Sequence, residues 1–177
     1  MAKTMRAKVP LEAIKALREK TGASINDVRE ALETAGGDEA KALELLRQRG
    51  AVIAEKRQGR TTGQGRIESY IHHNGKLGAL VEVNCETDFV ARTPEFLQFC
   101  RDVAMQVAAT NPRYVRAEDV PADARLSAEE RKEACLLEQT FVKDPTTTIH
   151  GLLKALIAKT GEHVVIRRFV KFTLGEA

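Results

Sequence analysis

The sequence predicts a fold of the α+β class, and three observations lead to this expectation. Residues 9–50 carry apolar side chains at helical spacing, residues 67–84 alternate around a turn signal, and later segments switch between helical and strand-like patterns. We expect an N-terminal three-helix domain over residues 1–54, a linker over residues 55–65 and a mixed core over residues 66–177. In that core a small antiparallel sheet should pack with helices.

The N-terminal segment predicts three short helices from its capping residues. Pro10 suits a first helical position, and Gly22 suits the position just after a helix end. Ser24 can cap the second helix and Asp38 the third, which we expect to stop at Gly50. Such a unit buries little surface. It resembles the ubiquitin-associated type of three-helix domain, whose members usually bind protein partners.

Two polar segments flank these helices. Residues 55–65, EKRQGRTTGQG, hold no large apolar side chain and combine three glycines with three basic residues. This composition predicts a flexible or extended linker. The opening MAKTMRAK, residues 1–8, is basic and is followed by no signal-type apolar region, so we expect a short disordered start there.

A β-hairpin is predicted around Asn74 and Gly75, because both residues tolerate the positive φ of a type I′ turn. The strand-like segments IESYIHH and KLGALVEVN flank this pair. Thr93 followed by Pro94 then predicts the start of a helix, which should end near Asn111.

The last third of the chain predicts a helix, a strand, a second helix and a final strand. Ser127 and Glu130 form a capping box for a short charged helix. The segment ACLLEQTFV indicates a strand, with KDPTTT as its turn. Apolar residues at helical spacing from Ile149 to Ile157 predict a helix closed by Gly161, and HVVIRRFVKFTL alternates as a final strand.

Composition argues against nucleic-acid binding, disulfide bonds and a membrane span. The 28 basic residues barely exceed the 25 acidic ones and are interspersed with them, whereas nucleic-acid binders cluster basic residues on one face. Cys85, Cys100 and Cys135 lack regular spacing, so we expect reduced thiols in a cytoplasmic protein, the last two in its core. No apolar run approaches the ~18 residues of a membrane helix.

The stretch VEVNCETDFVARTPEF, residues 81–96, crowds reactive side chains at a strand-to-helix junction. Catalysis by a nucleophile needs a nearby base held by a third group, and no recognised catalytic motif accompanies this stretch. A structural zinc site needs four converging ligands. The potential ligands within reach in the sequence are His72, His73, Cys85, Glu86 and Asp88. The two histidines should point to opposite faces of a strand, so we expect neither a metal nor a catalytic residue.

A docking tip is the third interpretation of this stretch. The residues TDF follow a strand and precede a well-capped helix, so they would stand on a rigid base, and Thr87 can cap a short turn. That arrangement would point Phe89 outward, where exposure of an aromatic side chain is costly unless a partner buries it. Spacing alone leaves open whether Phe89 docks to a partner or belongs to the core.

Three segments resemble the bacterial elongation factor Ts family, in its short form. RIESYIHHNGKLGALVEVNCETDFVAR resembles the family signature, LREKTGASINDVREALE its N-terminal domain, and GEHVVIRRFVKFTLGE its C-terminal strands. The resemblance covers nearly the whole chain from about residue 11, and its central motif is long and specific.

The resemblance implies a non-enzymatic nucleotide-exchange factor of translation, which releases GDP from elongation factor Tu and uses no cofactor. It implies that Thr87, Asp88, Phe89 and Val90 enter the partner's G domain and disturb its Mg²⁺ site. Weaker contacts with the same domain are implied for three residues of the N-terminal module: Thr21, Gly22 and Ile25. Nucleic acid, membrane and small-molecule substrates are not among the implied partners.

The resemblance also bears on oligomeric state. Longer family members have an extended segment between VPAD and LLEQ, where this chain has only ARLSAEERKEAC, and short members pair as homodimers. Alternation along residues 164–174 predicts two apolar faces that suit such pairing: Val165 and Phe169 on one, Ile166, Val170 and Phe172 on the other.

The alternative function, of a different class, is a ubiquitin-associated-like adaptor whose core binds another GTPase or a metal.

Overall fold

A computed structural model describes residues 9–176 of the chain, so the expectation for residues 1–8 lies outside the described residues. Within residues 9–176 the seven α-helices are α1 Leu11–Thr21, α2 Ile25–Thr34, α3 Glu39–Arg57, α4 Asp88–Ala91, α5 Pro94–Thr110, α6 Ala128–Ala134 and α7 Ile149–Thr160. The five strands of the same range are β1 Gln64–Ile71, β2 Leu77–Cys85, β3 Thr140–Phe141, β4 Asp144–Thr148 and β5 Val165–Thr173. The predicted α+β class is confirmed. No helix in this range is long and apolar enough to cross a membrane.

The three N-terminal helices begin and end largely where their capping residues predict. Gly22 follows α1 with φ of 65°, in the left-handed region that glycine adopts readily. The hydroxyl of Ser24 accepts a hydrogen bond from the Asp27 N–H at 3.1 Å, and the Asp38 carboxylate accepts one from the Lys41 N–H at 3.0 Å. These helices enclose a small core of their own: Ile14, Leu17, Val28, Ala31, Leu32 and Ala42.

The third helix runs past Gly50 to Arg57, so the predicted helix end at Gly50 was wrong. A Cβ atom placed on Gly50 would lie 3.2 Å from the Cβ atom of Ala158 in α7. The glycine at position 50 therefore allows α3 and α7 to approach closely, and it does not end α3. The extension carries Ala54 into the main core, and the predicted linker, residues 55–65, begins within α3 and ends within β1.

The main sheet has the strand order β1-β2-β5, with both pairs antiparallel. Its inner face packs against α5, and α7 packs beside α5 and contributes to the same core. The buried residues of this core include Val81, Val83, Phe96, Cys100, Val103, Ile157 and Ile166. The outer face carries no covering element within residues 9–176 and leaves five apolar side chains exposed: Ile67, Ile71, Leu80, Val170 and Phe172. We call these five residues the outer sheet face.

A β-bulge in β5 changes which residues share a face of the sheet. Val83 pairs with Ile166 but Glu82 pairs with Arg168, which leaves Arg167 as the extra residue. Strict alternation predicted Ile166 on the same face as Val170. That grouping was wrong, because the bulge turns Ile166 into the core while Val170 stays outside.

The predicted hairpin between β1 and β2 is confirmed, but its turn differs from the predicted type. The His72 N–H donates to the Leu77 carbonyl at 2.9 Å and closes a four-residue connection. Gly75 has φ of 66°, whereas Asn74 does not adopt the positive φ that a type I′ turn requires of both central residues.

Residues 134–148 depart most from the expectation. The segment predicted as one strand forms a 3-10 turn at Leu136–Glu138 followed by the two-residue β3, and the predicted turn KDPTTT is mostly the strand β4. The buried side chain of Gln106 explains the change. Its amide nitrogen donates to the Gln139 side chain at 3.1 Å and to the Thr140 carbonyl at 3.0 Å, and its oxygen accepts the Val142 N–H at 3.0 Å. These tertiary bonds replace a regular ladder.

The remaining helix ends match the prediction. Thr93 caps α5, which has Pro94 at its first position and ends at Asn111 with φ of 55°. Ser127 and Glu130 form both hydrogen bonds of the capping box of α6. Gly161 ends α7 in the left-handed conformation, and β5 follows as predicted.

The contact between α3 and α7 predicts the effect of a larger side chain at Gly50. We expect Gly50→Leu to lower the free energy of unfolding by about 1–3 kcal/mol, because the added atoms overpack the interface. Urea unfolding measures this change. Gln48→Leu, on an exposed position of the same helix, is the matched control and should stay within about 0.5 kcal/mol of wild type. A Gly50→Leu protein as stable as the control would contradict the close packing of these helices.

Candidate functional site

Residues 87–90, which we call the tip, form the first turn after β2. Thr87 caps the short helix α4, and its hydroxyl accepts the Val90 N–H at 3.4 Å. The Phe89 side chain stands out from this turn with 79% of its surface exposed, whereas Thr87 and Val90 are half-buried. The structure therefore resolves the alternative that spacing left open, since Phe89 lies outside the core.

Charges beside Phe89 pair with each other on the surface. The Asp88 carboxylate accepts a hydrogen bond from the Arg92 guanidinium at 2.7 Å, one helical turn away. Both side chains are substantially exposed, so the pair contributes little to stability. Asp88 therefore stands accessible beside an exposed aromatic ring.

Glu162, in the loop between α7 and β5, holds the base of the tip. One of its carboxylate oxygens accepts the Thr87 N–H at 3.0 Å and the other accepts the Thr87 hydroxyl at 2.6 Å. From the strand side, the Cys85 thiol donates to the Thr87 carbonyl at 3.1 Å. Every polar group of Thr87 thus has a partner outside the tip.

A second set of bonds lies beside the first. The Glu86 carboxylate accepts the His163 backbone N–H at 2.6 Å and pairs with Arg60 at 3.3 Å. The His163 ring Nδ1 in turn donates to the Arg60 carbonyl at 3.0 Å. The His163 N–H, and secondarily Arg60, hold the pKa of Glu86 below its ordinary range. Arg60, in the segment between α3 and β1, is thereby tied to the base of the tip.

Glu162, His163 and Arg60 were not found by sequence reasoning. Glu162 lies 75 positions from Thr87, and no local spacing connects the two residues. The one available signal was the polar pair that follows Gly161. A helix that ends in a left-handed glycine and leads into a strand places such residues at the edge of the sheet.

The three N-terminal residues with implied partner contacts lie at the start and end of the α1–α2 connection. Ile25 is 54% exposed, while the Thr21 hydroxyl donates to the Leu17 carbonyl at 2.7 Å. Gly22 faces α7, because a Cβ atom there would lie 2.7 Å from Cε of Lys159 in that helix.

Lys159 also contacts the helix that follows the tip. Its ammonium group pairs with the Glu95 carboxylate in the first turn of α5 at 2.8 Å. The structure thus brings Gly22 and the start of α5 to the same end of α7, two regions that are far apart in the sequence.

The candidate metal ligands do not assemble. Among residues 9–176 no group of three or more His, Cys, Asp or Glu side chains could hold a metal ion. His72 and His73 were predicted to point to opposite faces of a strand, and this was wrong. Strand β1 ends at Ile71, both histidines lie in the connection that follows, and their ring centroids are 4.2 Å apart.

All three cysteines are free and buried. Burial, reinforced by the Glu162 charge, raises the pKa of the Cys85 thiol to about 11, and burial raises that of Cys100 to about 12. Burial also raises the pKa of Cys135. The thiols therefore serve packing and, for Cys85, hydrogen bonding to the tip.

Comparison with known proteins shows which protein family this chain resembles. Residues 11–132 match the family described as "Elongation factor TS". The proteins named "Elongation factor Ts" of Carboxydothermus hydrogenoformans and Thermotoga maritima are 47% and 45% identical, over 93% and 95% of this chain and 88% and 97% of the relatives. That of Caldanaerobacter subterraneus is 43% identical over 95% of this chain and 98% of its own.

These similarities identify a translation elongation factor. The chain belongs to the elongation factor Ts family, as the motifs around the tip indicated. The alignments with the same three relatives extend over 192, 193 and 195 positions, more than the 177 residues of this chain, so the relatives contain residues without a counterpart here.

The burial of the thiols predicts their reactivity. At about pH 8, a thiol of pKa near 11 is ionised in about one molecule in a thousand, so the folded protein should react slowly with a disulfide reagent such as DTNB. Unfolding in guanidinium chloride should make all three thiols react. The absorbance of the released thiolate measures both rates. Rapid reaction of one thiol in the folded protein would contradict the buried arrangement.

Proposed function

We propose that this protein is the nucleotide-exchange factor of elongation factor Tu, acting in the cytoplasm. It binds the GDP complex of that partner and speeds the release of GDP, so that GTP can bind. The observation that carries the proposal is Phe89, an exposed aromatic side chain on a tip whose base is held by Glu162 and Cys85. Membership of the elongation factor Ts family supports the assignment of the partner.

The proposed mechanism is binding without covalent chemistry. The tip enters the G domain of the partner, Phe89 fills an apolar pocket, and Asp88 beside it disturbs the surroundings of the bound Mg²⁺. Exchange requires that the factor and the nucleotide weaken each other's binding, and the coupling is equal in both directions. A factor that binds the nucleotide-free partner more tightly therefore loosens GDP by the same ratio.

Phe89 alone supplies too little free energy for this coupling. A thousandfold weakening of nucleotide binding corresponds to about 4 kcal/mol. Burial of one phenylalanine side chain yields roughly 1.5–3 kcal/mol. The remainder is assigned to loss of the partner's Mg²⁺, to Thr87, Asp88 and Val90 in the tip, and to weaker contacts of the N-terminal module: Thr21, Gly22 and Ile25.

The proposal includes the organisation of the chain. Residues 1–54 act as an N-terminal partner-binding domain of the ubiquitin-associated type, residues 55–65 connect it, and residues 66–177 form the core. The core pairs with a second copy through the outer sheet face. The support for pairing is that five apolar side chains are exposed together on three adjacent strands, which isolated soluble chains rarely show.

The tip predicts a strong effect of one substitution on exchange. Catalytic amounts of the protein should accelerate the release of labelled GDP from elongation factor Tu. Phe89→Ala should slow that release by more than about tenfold, because a buried aromatic contact of more than about 1.4 kcal/mol is lost. Stopped-flow fluorescence of a labelled GDP measures both rates.

Two controls separate this effect from folding. Phe89 is exposed, so Phe89→Ala should leave the thermal unfolding midpoint unchanged. Val142→Ala removes an exposed apolar side chain from the β3–β4 turn and should release GDP at the wild-type rate. Unaltered release by Phe89→Ala would refute the role of the tip, and no acceleration by the wild type would refute the exchange function itself.

The outer sheet face predicts the oligomeric state. Multi-angle light scattering at micromolar concentration should give the mass of a dimer for the wild type and of a monomer for Val170→Glu, because pairing would bury an unpaired carboxylate. Val142→Glu places the same charge on an exposed valine of another strand pair and should remain a dimer. A monomeric wild type would remove the dimer from the proposal.

A further inference from the structure

We propose that Glu162 is a positioning residue for exchange, which orients the tip without contacting the partner. The proposal rests on the exchange function above. Glu162 lies between α7 and β5, 75 positions after Thr87, and so does not belong to the tip motif.

The contact of Glu162 with Thr87 is specific in geometry. The two carboxylate oxygens accept separate donors of one residue, the backbone N–H at 3.0 Å and the hydroxyl at 2.6 Å. Hydrogen bonds to an ionised acceptor are stronger than neutral ones, and two of them fix both the backbone and the side-chain rotamer of Thr87.

That rotamer determines whether the tip helix is capped. The Thr87 hydroxyl donates its hydrogen to Glu162, so its oxygen remains oriented to accept the Val90 N–H at 3.4 Å. Helix α4 has only four residues, and a helix of one turn does not persist by itself in water. The orientation of Asp88 and Phe89 therefore depends on the cap, and the cap depends on Glu162.

The sheet does not hold this region by backbone pairing. The ladder between β2 and β5 ends at Asn84 and Val165. Beyond it, side chains continue the connection in both directions: Glu86 accepts the His163 N–H, and Glu162 accepts the Thr87 N–H. Loss of Glu162 would leave the Thr87 N–H without its charged acceptor, while the strands would still pair.

The test is the exchange rate of Glu162→Gln, a substitution that keeps the shape but removes the charge and one acceptor. We expect GDP release to slow by about tenfold, the size of the loss of one charge-assisted hydrogen bond. Glu129→Gln, an exposed glutamate of α6, is the matched control and should exchange at the wild-type rate.

The same substitution in a Phe89→Ala background distinguishes positioning from a general structural role. If Glu162 acts only through the tip, Glu162→Gln should slow exchange by a clearly smaller factor once Phe89 is absent, because only the contacts of Thr87, Asp88 and Val90 then remain to be oriented. A merely structural residue would slow both backgrounds by the same factor, and that outcome would overturn the proposal. Wild-type exchange by the single variant Glu162→Gln would also overturn it.

A measurement without the partner keeps this proposal separate from the exchange function. Amide hydrogen exchange by NMR should be faster at Thr87 and Val90 in Glu162→Gln than in wild type, and by a larger factor there than at the amides of α1. Amide exchange at Thr87 and Val90 as slow in Glu162→Gln as in wild type would contradict the positioning role, even if the wild type accelerated GDP release from elongation factor Tu. Failure of the wild type to accelerate GDP release would instead refute the exchange function, whatever the amide rates.

Discussion

The C-terminal end of α7 is the constraint on which the arrangement of this protein depends. The helix approaches α3 closely where Ala158 faces Gly50, and its Lys159 lies against Gly22 while it pairs with Glu95. One turn later Glu162 holds Thr87. Gly161 ends the helix in the left-handed conformation, and its N–H donates to the Ile157 carbonyl. This one helix end therefore contacts the N-terminal helices, α5 and the tip together.

This arrangement supports the proposed docking role of the exposed Phe89 side chain. The exposed Phe89 side chain makes no core contacts that would orient it. The position of its backbone therefore depends on hydrogen bonds made by the neighbouring residues. Thr87 provides that support, because its N–H, hydroxyl and carbonyl groups all have partners in other elements. A side chain that is already oriented loses less conformational freedom on binding, and affinity benefits accordingly. If the proposed function holds, the tip and the Glu162 carboxylate behind it act together as one unit.

Much of the fold was predictable because its determinants are local. Ser24, Asp38, Thr93 and Ser127 cap helices where their spacing predicted, since a cap needs only residues within one turn. The predictions that were wrong concern segments in which contacts with distant residues compete with local conformational preference. A segment with strand-like residues after Cys135 became a 3-10 turn because its neighbours bind the buried Gln106. In β5, a bulge reversed the face of Ile166, which no two-residue period can anticipate.

The sequence by itself determined the α+β class, most helix boundaries and the presence of a TDFV tip, because periodicity, caps and motifs are properties of neighbouring residues. Only the tertiary structure decided that Phe89 is exposed, that Gly50 lies inside a helix, and that Glu162 meets Thr87 across 75 positions. Such contacts depend on how α7 and the sheet pack, and packing is a property of the whole chain. The residues that hold the tip in place could therefore be recognised only after the fold had brought them together.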